Sequence, residues 1–330
     1  MDHDLSSWGE ALKRSDFRDY YQSQFTPPYR RYGFVMAFFC LLLALAALSL
    51  VLGPRWLKDQ AALIGVMSGS LLAIMAVGGL VWWHQRFTRN VRLNRFCSAH
   101  GLGFQELRQD VRLPGAPFRS DRRSLTQPII TGGGLIIGRH RILEDQRQNK
   151  IELYRPFTFG MIRLPQAVPH IILKNRHSKV VPMSRLRNIA QMALEGDFAD
   201  TFTLYCPASY ERDALYIFTP DVMTACLDLA GDAELELVDD YLFLYTLSGE
   251  ACRDPEKLLA LRDIIERLAG RFGRQVAAYS DDRSASGRVA GAARRMNFKA
   301  QSQLVGLFGG LLIALYAAYQ ILSLLGFHLF

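Results

Sequence analysis

The chain lacks a paired-cysteine pattern. Its five cysteines, Cys40, Cys97, Cys206, Cys226 and Cys252, are odd in number, widely spaced and without a CxxC. That argues against a disulfide framework and fits reduced thiols in a cytoplasmic compartment. Nucleophile elbows, HExxH, Walker A and dinucleotide fingerprints are also missing, and no two of the seven histidines stand at helical metal-ligand spacing. These absences remove the familiar motif-borne chemistries, leave no cofactor or metal to expect, and weigh against an enzyme. No secretory signal is apparent, because the first 32 residues are polar and charged and no small-residue cleavage site follows the first apolar run.

Charge itself is absent from three long runs. Gly33 to Gly53, Ala61 to Trp83 and Leu304 to Leu325 contain no Asp, Glu, Lys, Arg or His. At about 1.5 Å per residue each covers the roughly 30 Å hydrocarbon core of a bilayer. The mean hydropathy of only +0.05 therefore averages two kinds of sequence. Between the first two runs lies only PRWLKDQ, residues 54–60, which is enough to reverse the chain, so residues 33–84 are expected to form a helical hairpin, with crossings at 33–53 and 61–83. The sequence thus predicts a membrane protein with three transmembrane helices and a soluble domain between the second and third. With no ionisable group inside any run, transport by this chain alone is disfavoured.

Arginine and lysine set the expected direction. Lys13, Arg14, Arg18, Arg30 and Arg31 precede the first run, whereas the short loop holds only Arg55 and Lys58. Arg86, Arg89, Arg92 and Arg95 follow the second run, Arg288, Arg294, Arg295 and Lys299 precede the third, and the tail at 326–330 has neither Lys nor Arg. Positive-inside bias places the N-terminus and the large domain in the cytoplasm and the C-terminus outside, with the bacterial inner membrane as the expected location. Trp82, Trp83, Trp56 and Tyr32 stand where an aromatic belt would lie. Gly65 with Gly69 and Gly306 with Gly310 each form a GxxxG, which suits close helix packing within or between chains.

The arm at 1–32 carries Ser7 to Glu10 as a capping box, then Leu12, Phe17, Tyr20, Tyr21 and Phe25 at roughly helical spacing before Pro27 and Pro28. It could lie in the headgroup layer or dock on the protein's own domain. Residues 85–280 read as an α+β domain. The second run is expected to continue as a helix to about Gly101. LIIG (135–138), IELY (151–154), GMIRL (160–164), HIILK (170–174) and TFTLYC (201–206) read as strands, and Leu235, Leu237 and Tyr241 to Tyr245 as a hairpin around Asp239 and Asp240. Thr219 and Pro220 open one helix. Asp254 and Pro255 open another, with Leu258, Leu261, Ile264, Ile265, Leu268 and Phe272 on one stripe and Gly273 at its end. Residues 281–303 include a Ser, Gly and Arg-rich stretch that reads as a flexible link.

Charge divides the domain along the chain. Residues 86–190 hold 20 basic against 6 acidic side chains, and residues 191–282 hold 7 against 19. Either the basic half faces anionic lipid, or the two halves pack on each other. Arg86, Arg89, Arg92 and Arg95 are the candidate headgroup contacts, each basic group near an anionic surface contributing about 1 kcal/mol. Gly132 to Gly134 lack the GK[ST] of a phosphate loop and read as a turn. Glu195, Asp197, Asp200, Glu211 and Asp213 lack calcium-loop spacing and read as a solvated face, while His140 and His170 read as satisfied core or edge residues. No nucleic-acid module is recognisable, so no specific nucleic acid is expected.

Phe198, Phe202 and Tyr205, then Asp213, Ala214, Tyr216, Ile217, Thr219, Pro220 and Met223, then Asp239 to Tyr245, carry a resemblance. This stretch resembles a family of bacterial membrane proteins of unknown function, in which two transmembrane helices precede a cytoplasmic domain. The resemblance covers about fifty residues, implies a fold, and supplies no catalytic residue. The third apolar run departs from that family's usual plan. The expected function is a non-enzymatic inner-membrane protein whose cytoplasmic domain recruits, scaffolds or senses a partner, with self-association through its helices. The alternatives are a membrane-anchored enzyme or sensor for a lipid or nucleotide phosphate, and a subunit of a channel or secretion assembly.

Overall fold

The computed structural model describes residues 6–24, 36–48, 59–109, 111–118, 124–142, 156–178, 180, 189–192, 194, 196–247, 251–281, 283, 289, 293 and 296. The third apolar run with Gly306 and Gly310, and the IELY segment, lie outside the described residues.

Two short helices, α1 (Ser6–Gly9) and α2 (Arg14–Ser23), come first. An apolar helix α3 (Met36–Leu48) and the 41-residue helix α4 (Asp59–Ala99) follow. At about 1.5 Å per residue α4 is a rod of roughly 60 Å. Its two ends have different surroundings. Met67, Leu71, Ile74, Met75, Val77, Val81 and Trp82 are exposed, whereas Val91, Leu93, Phe96 and Cys97 are buried in the domain. The segment Val66–Ala99 is the one helix among the described residues long and apolar enough to cross a membrane, judged by length and composition, and 11% of its most apolar window is buried. Packing of α3 on α4 falls at Gly79, where a Cβ would stand 2.1 Å from the Phe39 ring. Gly69 is also buried.

The domain is an antiparallel sheet with helices packed on it, which is the α+β class. Its strands are β1 (Gly103–Gln105), β2 (Arg108–Gln109), β3 (Ser124–Gly132), β4 (Leu135–Ile142), β5 (Phe157–Asn175), β6 (Ile189–Met192), β7 (Phe202–Pro207) and β8 (Glu234–Thr246). The main path runs β1-β3-β4-β5-β7-β6, with β2 on β3 and β8 on β5. GMIRL and HIILK, expected as separate strands, are one 19-residue strand. Its prolines, Pro165 and Pro169, fall between the stretch paired with β4, which ends at Ile162, and the stretch paired with β7, which begins at Ile172. A missing N–H costs no ladder bond on that side. The expected hairpin at 235–245 is likewise one strand, β8, kinked at Asp239, whose φ of 53° is tolerated by Asp, opposite the irregular step at Val168. Gly133 (φ 58°) and Gly134 (φ 80°) form the two-residue turn between β3 and β4, where positive φ at both positions matches the twist of the strands.

Helices α5 (Asp197–Thr201), α6 (Glu211–Ile217), α7 (Pro220–Ala230) and α8 (Pro255–Val276) complete the domain. Asp254 caps α8 by accepting from the N–H of Glu256 at 3.0 Å. The helix runs past Gly273 to Val276 and buries Leu258, Leu259, Leu261, Ile265, Leu268, Phe272 and Val276. Gly160 lets α8 approach β5, since a Cβ there would stand 2.9 Å from Ile265. A second core of Phe118, Phe157, Phe159, Met161, Phe243 and Tyr245 is distinct from the one that holds the α8 stripe. Of residues 281–303, Asp281, Val289, Ala293 and Met296 are buried against the domain.

Candidate anion-binding site

The four arginines after the apolar part of α4 have different fates. Arg95 is consumed by the N-terminal arm: its guanidinium donates to the carbonyls of Ser7 (2.5 Å), Glu10 (2.9 Å) and Ala11 (3.0 Å) and pairs with Asp16 at 3.1 Å. The arm is docked, not spread on a surface. Phe17 stacks on Phe87, Trp8 meets Phe96 edge-on, and Tyr20 is fully buried. Arg92 is exposed.

Arg86 and Arg89 line a cleft of about 110 Å³ together with Trp82, Gln85, Asn90, Glu106, Gln127, Pro128 and Arg253. Four segments build it, one of them the bend between β1 and β2 that carries Glu106. The first wall is α4, whose i, i+3 and i+7 spacing puts Trp82, Gln85 and Arg89 on one side of the helix. The second comes from β3, where the register shifts between Thr126 and Ile129 and so presents Gln127 and Pro128. The third is the turn at 251–254 before α8, which brings in Arg253. Glu106 is held in place by the arm: the Tyr20 hydroxyl donates to Oε2 at 2.8 Å, and the Glu106 N–H donates to Gln24 at 2.7 Å. Arg86 stands 3.9 Å from Glu106 and 5.6 Å from the centre of the Trp82 ring.

The cleft is electropositive. Among the described residues three arginines face one glutamate, an excess of two positive charges. Arg253 and Arg89 have no carboxylate partner among the described residues. The Arg253 guanidinium is held below the usual arginine range, first by partial burial and then by Arg139, Arg86 and Arg89. Arg139, from β4, has a buried Nε without a hydrogen-bond acceptor among the described residues. Such a site can bind an anion. Among the described residues no cluster of His, Cys, Asp and Glu could hold a metal.

Part of the charge split along the chain is taken up by pairs between its two halves. Across β5 and β8, Arg163 pairs with Asp240 at 2.6 Å, Lys174 with Glu234 at 2.5 Å, and His170 Nε2 with Glu236 at 2.6 Å. Each basic partner comes from residues 86–190 and each acidic one from 191–282. His170 and Glu236 are fully buried. The Met296 N–H donates to His170 Nδ1 at 2.8 Å, which leaves Nε2 to donate to the carboxylate. Glu236 also accepts from Tyr245 (2.6 Å) and the Ala116 N–H (2.9 Å). His140 is buried beside Thr126 Oγ1 at 3.0 Å, and burial lowers its pKa to about 4. Both histidines are satisfied core residues.

Arg253 carries no motif and stands far from Arg86 in sequence, so the sequence gives no sign that it joins the cleft. The only local signal is the Asp254–Pro255 helix start, which fixes where the preceding turn must be.

No protein-family model matches the chain, and no curated protein matches it. The resemblance over Phe198 to Tyr245 therefore stays a resemblance. Among solved structures the chain is similar to the mycobacterial trehalose monomycolate transport factor A, at 11% identity and a TM-score of 0.39, over 57% of this chain and 94% of that one.

Proposed function

We propose that this chain is a non-enzymatic, multi-pass protein of the bacterial inner membrane, with three crossings, whose cytoplasmic α+β domain recruits or senses a partner at the bilayer surface. The observation that carries this reading is α4. One unbroken helix presents apolar side chains to its surroundings between Val66 and Trp82 and supplies Val91, Leu93, Phe96 and Cys97 to the domain core further on. An anchor of that kind fixes the domain's height and tilt at the membrane, which a flexible tether would not. The arm adds to the fixation by clamping Arg95. Sidedness follows from the arginine bias, with the N-terminus and domain inside and the C-terminus outside.

The test is affinity purification of the full-length protein from its native membrane in mild detergent, with the intact particle weighed and its components identified. Resistance of the protein to alkaline carbonate extraction, and a stoichiometric partner or defined homo-oligomer in the particle, are the expected results. Release by carbonate would refute the anchoring. A lone monomer would refute recruitment.

A further inference from the structure

We propose that the cleft between α4, the β3 irregularity and the turn before α8 binds a phosphate group, with Arg86, Arg89 and Arg253 as its ligands. The first argument is geometric. Guanidiniums from two distant parts of the chain converge on a space of about 110 Å³, large enough for a phosphate and its first water. Their planar forks match phosphate oxygens, which is why arginine dominates such sites. The second argument is electrostatic. Glu106 neutralises one of the three charges, and the excess of two suits a phosphate carrying one or two negative charges. Like charges held together without an anion repel one another, so a bound phosphate relieves a repulsion that the fold otherwise carries.

Depth points to the source. If the exposed apolar face of α4 lies in the hydrocarbon core, Trp82 marks its edge. Arg86 and Arg89 then lie about 6 and 10 Å further along the axis. The headgroup layer is roughly 5–8 Å thick on each side of a bilayer, so Arg86 lies within it and Arg89 at its outer edge, within reach of the lipid phosphates. The ligand is thus the phosphate of an anionic phospholipid, and Arg253 is the domain's own contribution to holding it. The lipid source rests on the membrane reading of α4; the phosphate chemistry of the cleft does not.

The test uses the full-length protein in neutral detergent, with binding followed by thermophoresis against inorganic phosphate, dihexanoyl phosphatidic acid and dihexanoyl phosphatidylcholine. Saturable binding of phosphatidic acid is expected, weaker for the choline lipid. Arg253→Gln and Arg89→Gln should each weaken it about tenfold or more, while Arg92→Gln, whose side chain is exposed outside the cleft, should leave it unchanged. Arg253→Lys keeps the charge but loses the fork, and should fall between wild type and Arg253→Gln. Phosphatidic acid binding more tightly than inorganic phosphate, with competition between them, supports the headgroup source. Inorganic phosphate binding as tightly supports the phosphate site with a soluble ligand. No saturable binding of either to protein that still melts cooperatively would overturn the proposal, as would an Arg92→Gln loss equal to that of Arg253→Gln. Should carbonate extraction release the chain from membranes, the inorganic phosphate titration still decides the cleft.

Discussion

His140 should make the domain acid-sensitive in a defined window. The side chain is 1% exposed between Phe118 and Phe157, and burial lowers its pKa to about 4 from an ordinary value near 6.5. The folded state therefore resists the proton that the unfolded chain accepts. Stability from this residue is complete above pH of about 6.5 and is lost as pH falls toward 4. The gap between about 6.5 and about 4, at about 1.4 kcal/mol per pH unit, makes the full loss about 3.5 kcal/mol. For a domain of this size that lowers the melting midpoint by roughly 7–14 °C. The assay is thermal melting of full-length protein in detergent at pH 7.5, 6, 5 and 4, for wild type and His140→Gln. Carboxylates titrate in both proteins, so the difference between the two curves isolates the imidazole. Wild type should lose stability relative to the variant as pH drops from 6.5 to 4. A difference that stays flat over that range would refute the reasoning.

Removing the clamp on the arm should expose it without unfolding the domain. Arg95→Ala deletes contacts to three carbonyls and Asp16, and is expected to cost about 2 kcal/mol and to speed tryptic cleavage at Lys13, Arg14 and Arg18 severalfold. Unchanged cleavage would mean that Phe17, Tyr20 and Trp8 hold the arm unaided. Tyr245→Phe removes one donor from the buried Glu236 carboxylate at nearly constant volume. It should cost about 1.5–3 kcal/mol in chemical denaturation, and a loss below about 0.5 kcal/mol would show that the bond contributes nothing net.

What could be read from the sequence was the local chemistry. Asp254 with Pro255 names the start of α8, and the apolar stripe from Leu258 to Phe272 names its buried face, because capping and helical period are properties of neighbouring residues. The triglycine was legible as a turn for the same reason. Strand length was not. Pro165 and Pro169 look like breaks, and only the gap between the β4 and β7 pairings makes them harmless. Asp239 and Asp240 look like a turn, and only the irregular pairing with β5 turns them into a kink. The arginine cluster was visible as a group but not in its division. Which of Arg86, Arg89, Arg92 and Arg95 faces the arm, the cleft or solvent depends on what packs against each side of α4. Arg253 could not be added to them from sequence at all.

The charge split sharpens the case for Arg253. If the two halves of the domain only neutralised each other, the second half would meet Arg86 and Arg89 with a carboxylate, as it meets Arg163 with Asp240 and Lys174 with Glu234. That half has 19 acidic and only 7 basic side chains to draw on. Among its described residues it nevertheless places an arginine there. Pairing for stability does not account for the choice, whereas a site kept positive for an incoming anion does, since binding sites often sacrifice stability. The two explanations separate on Arg253→Glu. If the positive cleft is there for an anion, the variant should melt at or slightly above the wild-type temperature without ligand, a gain of about 1 kcal/mol or less at so accessible a position. It should also lose phosphatidic acid and inorganic phosphate binding altogether. A fall in melting temperature would instead assign Arg253 to the architecture of the domain, and the argument from charge would fail.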